Sequence, residues 1–214
     1  MDDPLTLIGF RYSVYTRVVR MALIEMGLDA AYVEANPFAG ERDPVLVQYT
    51  PFYRVPVLRH GDFTLTETAA ITRYLDTLHR ASNLIPTDAM AQARMMQIIG
   101  IIDAYSYQPL VRQVFSHGYY RPHFDETADP SQVTAGLEAA QPVLSALDVI
   151  ADEGKQLFGA QISLADIYLA PMMDYFTKVP EGAALVQQYP ALYRWWRAVS
   201  ERPSLITTDP FAQT

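Results

Sequence analysis

"RVPVLRHGDFTLTET", residues 54–68, decides the fold of this 214-residue chain. Short runs of apolar and β-branched residues at 57–59 and 63–65 flank the turn sequence HGD, a pattern typical of a β-hairpin. Pro56 lies directly before the first run, where it has no ladder hydrogen bond to donate. Apolar residues at helical spacing follow the hairpin, and Thr66 is the expected N-cap of that helix. The stretch therefore predicts two paired strands and a helix.

The residues before the hairpin predict a strand, a helix and a second strand. The run LTLIGF (5–10) is apolar and β-prone, and AAYVEA (30–35) is the second strand candidate. Between them, apolar residues recur at helical spacing from Val14, and Gly27 stands where a glycine C-cap belongs. Prolines and a glycine within 36–51 indicate a loop with a short, irregular helix. The predicted order is β-α-β-(α)-β-β-α.

The residues after the hairpin helix show helical spacing and no strand pattern. We predict helices at 89–116, 131–152, 164–177, 183–189 and 190–202. An α/β unit followed by an all-helical unit is therefore expected. The predicted bounds are 1–80 for the first domain, 81–88 for a linker and 89–214 for the helical domain.

Composition excludes several classes of protein. A net charge of −8 and a pI near 4.9 leave no excess of Lys or Arg for nucleic-acid phosphates. The absence of cysteine excludes a disulfide scaffold, a thiolate metal site and a cysteine nucleophile. The four histidines lack metal-ligand spacing, so no metal is expected. The N-terminus does not resemble a signal peptide, and no apolar run reaches the roughly 18 residues of a membrane span, so we expect a cytoplasmic protein without a membrane partner.

Polar residues at the start of two predicted helices are candidates for anion binding. Glu67 and Thr68 fall in the first turn of the hairpin helix, where unpaired N–H groups hold a ligand carboxylate and Glu67 pairs with an ammonium group. The alternative is that Glu67 only complements the helix dipole and Thr68 has no ligand role. Ser13 precedes the first helix, either as an anion contact or as its N-cap. Arg17 and Arg20 follow, either as anion partners or as solvated charges.

The Val55–Pro56 bond offers a second kind of contact. In its cis form, the preceding backbone turns outward and leaves the N–H and C=O of Val55 free to pair with an extended peptide. The alternative is an ordinary trans proline at the start of a strand. The residues alone leave both forms open.

Together these motifs resemble the cytosolic glutathione S-transferase family. The segments SVYTRVVR (13–20), TPFYRVPVL (50–58) and TET (66–68) are similar to its motifs after the first strand, around a cis-proline and at the third helix. ISLADIYLAP (162–171) and YPALYRWWRAVSERPS (189–204) resemble motifs of its helical domain. The likeness covers essentially the whole chain and points to a serine-type bacterial member, phi-, theta- or zeta-like. It implies a thioredoxin-like N-terminal domain, an all-helical C-terminal domain and a homodimer.

The sequence departs from the family pattern at several positions. Thr50 replaces the usual Asn, Tyr53 the Gly, and Thr68 the more common Ser. Val14 stands where proline is frequent, and Tyr15 stands where the zeta class has cysteine. The last departure weakens an interpretation as a maleylacetoacetate isomerase-like enzyme, and together they leave the class open.

The resemblance implies that glutathione is the co-substrate. The residues that it assigns to glutathione binding are Arg54, Val55, Pro56, Glu67 and Thr68. The γ-glutamyl carboxylate is expected at the helix start, the cysteinyl backbone beside the cis-proline and the glycyl carboxylate near Arg54. The sulfur is then expected near Ser13, which donates a hydrogen bond that favours the thiolate, with support from Arg17.

The expected reaction is conjugation of glutathione to a small hydrophobic electrophile, as in detoxification. Isomerisation, dehalogenation and peroxide reduction are alternatives, and so is a protein that keeps the fold and binds without turnover. The expected walls of the electrophile site are Tyr12, Tyr105, Phe115 and Tyr119, although aromatic residues at helical spacing also build cores. Ser163 and Asp166 are expected to form a structural helix cap rather than a catalytic pair.

Overall fold

The computed structural model describes residues 3–79, 83–157 and 161–212. Contacts divide the chain into one unit that runs to Asn83 and resumes at Ile206, and a second unit, Leu84–Leu205. The last residues thus group with the first unit rather than with the helical domain in which they were expected. Residues 81 and 82 of the predicted linker lie outside the described residues. The exact domain bounds stay a prediction.

The first unit is built on a four-stranded sheet. Its elements are β1 (Leu5–Gly9), α1 (Val14–Met26), β2 (Ala31–Glu34), α2 (Pro44–Tyr49), β3 (Val57–His60), β4 (Phe63–Thr66) and α3 (Thr68–Leu78). This order confirms the predicted arrangement. The strands lie in the order β2-β1-β3-β4, with β1 parallel to β2 and antiparallel to β3, and β3 antiparallel to β4.

The register of the sheet brings three strand ends to one edge. Ile8 of β1 pairs with Val57 of β3, and Val57 pairs in turn with Thr66 of β4. Because β3 runs antiparallel to both neighbours, β1 and β4 end at the edge where β3 begins. The residues after Gly9, before Val57 and after Thr66 therefore meet at one edge of the sheet.

The inner strands and α1 supply the core of the first unit. Leu7 and Ile8 of β1 and Leu58 of β3 are buried. Helix α1 buries an apolar stripe and packs against α3. Gly27 ends α1 with φ 65 and donates its N–H to the Ile24 carbonyl at 3.1 Å, which confirms the predicted glycine cap.

The second unit contains helices and no strand among its described residues, as predicted. The helices are α4 (Ala89–Ile101), a π-helix (Ile102–Tyr120), α5 (Arg121–His123), α6 (Pro130–Asp152), α7 (Leu164–Thr177), α8 (Pro180–Val186) and α9 (Pro190–Val199). A short helix, α10 (Pro203–Thr207), follows α9. Helix α7 is buried on nearly every side and packs against α4, the π-helix, α8 and α9, so it forms the centre of this unit.

Three helices differ from their predicted forms, one of them only in that the helix predicted over 190–202 ends at Val199. The helix predicted over 89–116 changes at Ile102 from α-helical to π-helical hydrogen bonding, and it extends beyond the predicted end. Pro109 lies inside this segment and has no N–H to donate to an α-helical ladder, which favours a local change of helix geometry. The helix predicted over 183–189 begins earlier, at Pro180, because proline is favoured in the first turn of a helix.

Helix α6 is long and apolar enough to cross a membrane by length and composition alone, with a mean hydropathy of 1.2 over its best window. Polar residues interrupt its apolar positions, so it contains no unbroken apolar run of that length. Its buried residues recur at helical spacing from Gly136 to Ala151, and they pack against the π-helix and α9. Asp148 on the same helix accepts the N–H groups of Ala191 and Leu192 at 2.8 Å. These contacts are those of a helix that packs one face against its neighbours.

Candidate active site

Ser13 lies in the turn between β1 and α1. It is the N-cap of α1, and its Oγ accepts the N–H of Thr16 at 3.3 Å. Its own N–H donates to the Phe10 carbonyl at 2.8 Å, which closes the turn. The capping contact considered from the sequence is thus present. Because Oγ acts as the acceptor in this contact, its hydroxyl hydrogen can still be donated to a ligand.

The two arginines of α1 have different surroundings. Arg17 is fully buried, so the alternative of a solvated surface charge is wrong for this residue. A buried guanidinium requires polar or charged partners, which makes Arg17 a fixed charge inside the first unit. Arg20 is half-buried, and its guanidinium carbon lies 5.5 Å from the centre of the Tyr32 ring, a cation–π contact.

Val55 and Pro56 are joined by a cis peptide bond, the form that the family resemblance implies. Pro56 is buried, Val55 is half-buried and Arg54 is exposed. Among the described residues, no hydrogen bond engages the N–H or the C=O of Val55. These groups lie just before β3, where an extended peptide backbone can pair with them.

Glu67, not Thr66, is the N-cap of α3, so the cap predicted from the sequence is wrong. Thr66 remains in β4, paired with Val57, because the strand continues one residue further than expected. Glu67 has φ 67, which is unfavourable for a residue with a Cβ, and its exposed side chain makes no capping bond. Buried Thr68 follows as the first helical residue. The start of α3 therefore suits a ligand that carries both a carboxylate and an ammonium group.

The structure brings three separate motifs of the sequence to one place. Ser13 follows β1, Val55 precedes β3 and Glu67 follows β4. The paired residues of β1, β3 and β4 form a row at this edge, and each motif is the next turn of chain beyond that row. An elongated polar ligand laid along the edge can contact all three.

The four residues expected to line an electrophile site have different environments. Tyr12 belongs to the first unit, where its ring centre lies 5.3 Å from those of Phe10 and Phe211. Tyr105 belongs to the second unit and is exposed. Tyr12 is half-buried and Tyr105 is exposed, so neither residue has the environment of a core side chain.

Phe115 has the environment of a core residue. It is buried, and its ring stacks on Tyr175 with centres 4.0 Å apart and planes 8° from parallel. Tyr119 also stacks on Phe115, with centres 5.8 Å apart, and Nζ of Lys178 lies 5.9 Å from the Tyr119 ring centre. Phe115 is therefore a core residue, the alternative to a wall of the electrophile site. Tyr119 is half-buried and keeps accessible surface.

Ser163 and Asp166 form the reciprocal cap at the start of α7. Oδ2 of Asp166 accepts both the N–H and the Oγ–H of Ser163 at 2.7 Å. Oδ1 accepts the Nε1–H of Trp195 at 2.7 Å, a partner that the sequence did not indicate because it comes from α9. Burial raises the pKa of Asp166 above its ordinary value, and these hydrogen bonds oppose the rise. Both carboxylate oxygens are engaged within the helical unit.

The first unit also has an open pocket that the sequence did not indicate. Its volume is about 190 Å³, and it is lined by Arg11, Arg20, Tyr32, Glu34, Thr207, Asp209 and Pro210. Nε of Arg11 lies 3.4 Å from Oε2 of Glu34, so these charges pair within the wall. Burial, and then the Glu34 carboxylate, raise the pKa of Tyr32. Throughout the described part of the chain, no group of three or more His, Asp or Glu side chains is placed to hold a metal ion.

Two family descriptions match this sequence. "Glutathione S-transferase, N-terminal domain" matches residues 7–83, and "Glutathione S-transferase, C-terminal domain" matches residues 117–198. Together the two matches cover more than half of the chain, in the order that the motifs predicted.

Known proteins are similar to this chain over nearly its whole length. Glutathione S-transferase F13 of Arabidopsis thaliana is 26% identical over 209 residues, which span 96% of this chain and 95% of the relative. The structure of glutathione S-transferase III in apo form is 27% identical, with a TM-score of 0.85 over 99% of this chain and 98% of the other. Glutathione S-transferase I from maize, in complex with an atrazine glutathione conjugate, is 26% identical, with a TM-score of 0.82 over 98% of each chain. With the fold and both domain matches in agreement, the chain belongs to the glutathione S-transferase family.

Proposed function

We propose that this protein conjugates glutathione to small hydrophobic electrophiles. The observation that carries the proposal is the shared sheet edge at which Ser13, Val55 and Glu67 meet. Glutathione carries two carboxylates, an ammonium group, a peptide backbone and a thiol. Each of the three segments offers a complement to one part of it.

In this proposal glutathione lies extended along the edge. Its γ-glutamyl carboxylate binds the N–H groups at the start of α3 beside Thr68, and its ammonium group faces the exposed carboxylate of Glu67. The cysteinyl backbone pairs with the N–H and C=O of Val55, next to Pro56. The glycyl carboxylate pairs with the exposed guanidinium of Arg54.

Ser13 activates the thiol as a hydrogen-bond donor, not as a base. A free thiol with a pKa of about 8.5 is only about 3% thiolate at pH 7, and lowering that pKa by about two units requires roughly 2.7 kcal/mol. A hydrogen bond to a charged group contributes about 1.5–3 kcal/mol, and a helix N-terminus about 0.3–1 kcal/mol. The two contributions together reach the required size. The buried positive charge of Arg17 on the same helix acts in the same direction.

The chemical step forms one carbon–sulfur bond. The thiol proton passes to solvent, the thiolate attacks the electrophilic carbon, and the leaving group departs with its electron pair. The sulfur belongs to glutathione, since the chain has no cysteine. A similar structure holds an atrazine glutathione conjugate, so aromatic electrophiles with a leaving group are the first class to test. In the proposal, exposed Tyr105 and half-buried Tyr119 of the second unit supply apolar wall.

Retention on immobilised glutathione, followed by an assay with chlorodinitrobenzene, tests the proposal. We expect both retention and turnover. Binding without turnover across a broad panel of electrophiles would identify a binding protein. Isomerisation of a maleyl-type substrate without conjugation would identify the isomerase alternative.

We also propose that the protein acts as a homodimer in the cytoplasm, as the family resemblance implies. Large apolar side chains are exposed on the first unit, among them Phe38, Phe52 and Phe63, and a partner surface would cover such residues. Size-exclusion chromatography with light scattering is expected to give twice the chain mass of 24.1 kDa. A mass of one chain at micromolar concentration would contradict the dimer, and cell fractionation tests the location.

A further inference from the structure

Tyr53 occupies a position at which its own backbone is unfavourable. Its φ is 52, in the left-handed region that glycine adopts freely and residues with a Cβ avoid. The motif around it resembles a family pattern with glycine at this place. A large aromatic residue in this conformation indicates that the side chain makes a compensating contact.

The side chain of Tyr53 makes three kinds of contact. Its hydroxyl accepts the backbone N–H of Asp43, which begins α2. The guanidinium carbon of Arg42 lies 5.4 Å from the centre of its ring. The ring also packs against a buried cluster that consists of Ile8, Ala35, Leu46 and Val57. The side chain is therefore fixed by polar, cation–π and apolar contacts at once.

Among the described residues, the N–H of the N-cap Asp43 has its hydrogen-bond partner in the hydroxyl of Tyr53. The carboxylate of Asp43 caps the helix by accepting the N–H of Val45 at 2.9 Å. In a capping box, the third helical residue returns a side-chain oxygen to the N–H of the N-cap. In α2 that residue is Leu46, which has no such oxygen. The hydroxyl of Tyr53, ten positions after Asp43, takes its place.

The backbone of Tyr53 is held at the opposite end of α2. Thr50 is the C-cap, and its carbonyl lies 3.5 Å from the N–H of Tyr53 while its Oγ1 accepts the N–H of Phe52 at 3.3 Å. Tyr53 thus connects both ends of α2, and Arg54 and Val55 follow it directly. The segment that leads to β3 therefore starts at a residue that contacts both ends of α2.

We propose that Tyr53 is a positioning residue for glutathione binding, whose hydroxyl holds α2 and so orders Arg54 and Val55 before the ligand arrives. The proposal rests on the proposed function. Ordering a site in advance removes part of the entropy loss that binding otherwise includes. Ser13 lies on another element, so the effect falls on glutathione affinity and not on the thiolate.

Tyr53→Phe removes the hydroxyl and keeps the ring. The KM and Kd for glutathione are expected to rise about three- to tenfold, the range for one hydrogen bond, with kcat at saturating glutathione within about twofold of wild type. Amide exchange at Asp43 in the ligand-free protein is expected to accelerate by a similar factor. The matched control is Tyr49→Phe: Tyr49 packs on the same cluster, and within the described residues its hydroxyl has no hydrogen-bond partner. This control is expected to change neither quantity.

Tyr53→Gly distinguishes the effect of the backbone conformation on glutathione binding from the effect of the side chain. Glycine fits the observed φ, yet the glutathione KM is expected to rise at least as far as in Tyr53→Phe, because the contact with α2 is lost. An unchanged KM in Tyr53→Phe, an improved KM in Tyr53→Gly, or a lower kcat at constant KM would overturn the role of Tyr53. If Tyr53→Gly does not fold, Tyr53→Phe and its control decide. A wild-type protein that neither binds nor turns over glutathione overturns the proposed function itself, and this is visible before any variant is made.

Discussion

The indole Nε1 of Trp195 donates to Oδ1 of Asp166 at 2.7 Å and so joins α9 to the N-terminus of α7. Both side chains are buried. The second oxygen of the same carboxylate accepts two hydrogen bonds from Ser163. One carboxylate thus caps the central helix of the second unit and fixes a neighbouring helix against it. We expect its loss to act on stability rather than on chemistry.

Asp166→Ala is expected to lower the free energy of unfolding by about 3 kcal/mol, since it removes a cap and leaves buried donors without acceptors. Urea unfolding measures this change, and the glutathione affinity of the folded fraction is expected to stay the same. Asp88→Ala is the control: Asp88 caps α4 through one exposed bond to Ala91 at 2.9 Å, worth about 1 kcal/mol. A stable Asp166→Ala protein with a selective loss of activity would contradict the structural role.

The carboxylate of Asp166 is expected to make the free energy of unfolding depend on pH. Burial raises the pKa of Asp166 above its ordinary value of 3.8. The folded state therefore holds this proton more tightly than the unfolded state, so the contribution of Asp166 is greatest at low pH and falls as pH rises from 3.8 through the folded pKa. Asp166→Asn does not titrate. Urea unfolding at a series of pH values should show the difference in unfolding free energy, wild type minus Asp166→Asn, decrease across that window; an increase would contradict the raised pKa.

The sequence predicts those features that depend on residues close together in the chain. The hairpin of β3 and β4 follows from alternating residues around HGD, and Gly27 marks the end of α1 by its position after an apolar stripe. The cap formed by Ser163 and Asp166 spans three positions, so its spacing alone indicates it. Each of these contacts joins residues a few positions apart, so the local sequence is enough to indicate it.

Features set by distant residues or by unusual backbone are not predicted. Trp195 and Asp166 are 29 positions apart, and the residues next to each of them give no indication of their hydrogen bond. The positive φ of Tyr53 and Glu67 contradicts the preference of both residue types, because the surrounding contacts fix the backbone there. The sequence does not predict the π-helix, because apolar spacing over a few turns does not distinguish it from an α-helix.

Ser13→Ala is expected to raise the pKa of the bound glutathione thiol by about one to two units and to lower kcat/KM by about tenfold to a hundredfold, as the thiolate loses its donor. The absorbance of the bound thiolate, titrated with pH, measures the first quantity. Unfolding free energy should fall by about 1 kcal/mol through loss of the bond to Thr16. Ser13→Thr keeps a hydroxyl, so it should retain most of the lowered thiol pKa and most of the stability. An unchanged thiol pKa in Ser13→Ala would leave Ser13 as a cap alone.

His117 is expected to act as a pH-dependent acceptor at the start of α6. Its Nδ1 accepts the N–H of Asp129, the N-cap of α6, at 2.9 Å. Desolvation, and then the guanidinium of Arg121, lower the pKa of His117 below its ordinary 6.5, so this bond is fully present above pH 6.5 and is lost as pH falls through the folded pKa. The amide resonance of Asp129 should show a transition with a midpoint below 6.5 and above the titration of its own carboxylate, whose pKa lies below 3.8, and His117→Phe should abolish only that transition. A midpoint above 6.5 would contradict the direction of the shift.

Glu67 is expected to lower the stability of the fold and to strengthen glutathione binding. Glu67→Gly relieves a positive φ of 67 and should raise the free energy of unfolding by about 1 kcal/mol, the relief exceeding the extra entropy that glycine adds to the unfolded chain. The same change removes the carboxylate proposed to face the glutathione ammonium group, so Kd should rise about tenfold, as for a lost charged hydrogen bond. Glu67→Gln keeps the unfavourable backbone and removes only the charge, so its stability should match wild type while its Kd rises. Urea unfolding and titration calorimetry measure the two quantities. A Glu67→Gly protein that is more stable and binds glutathione as tightly as wild type would show that the unfavourable backbone and the carboxylate serve no purpose in binding.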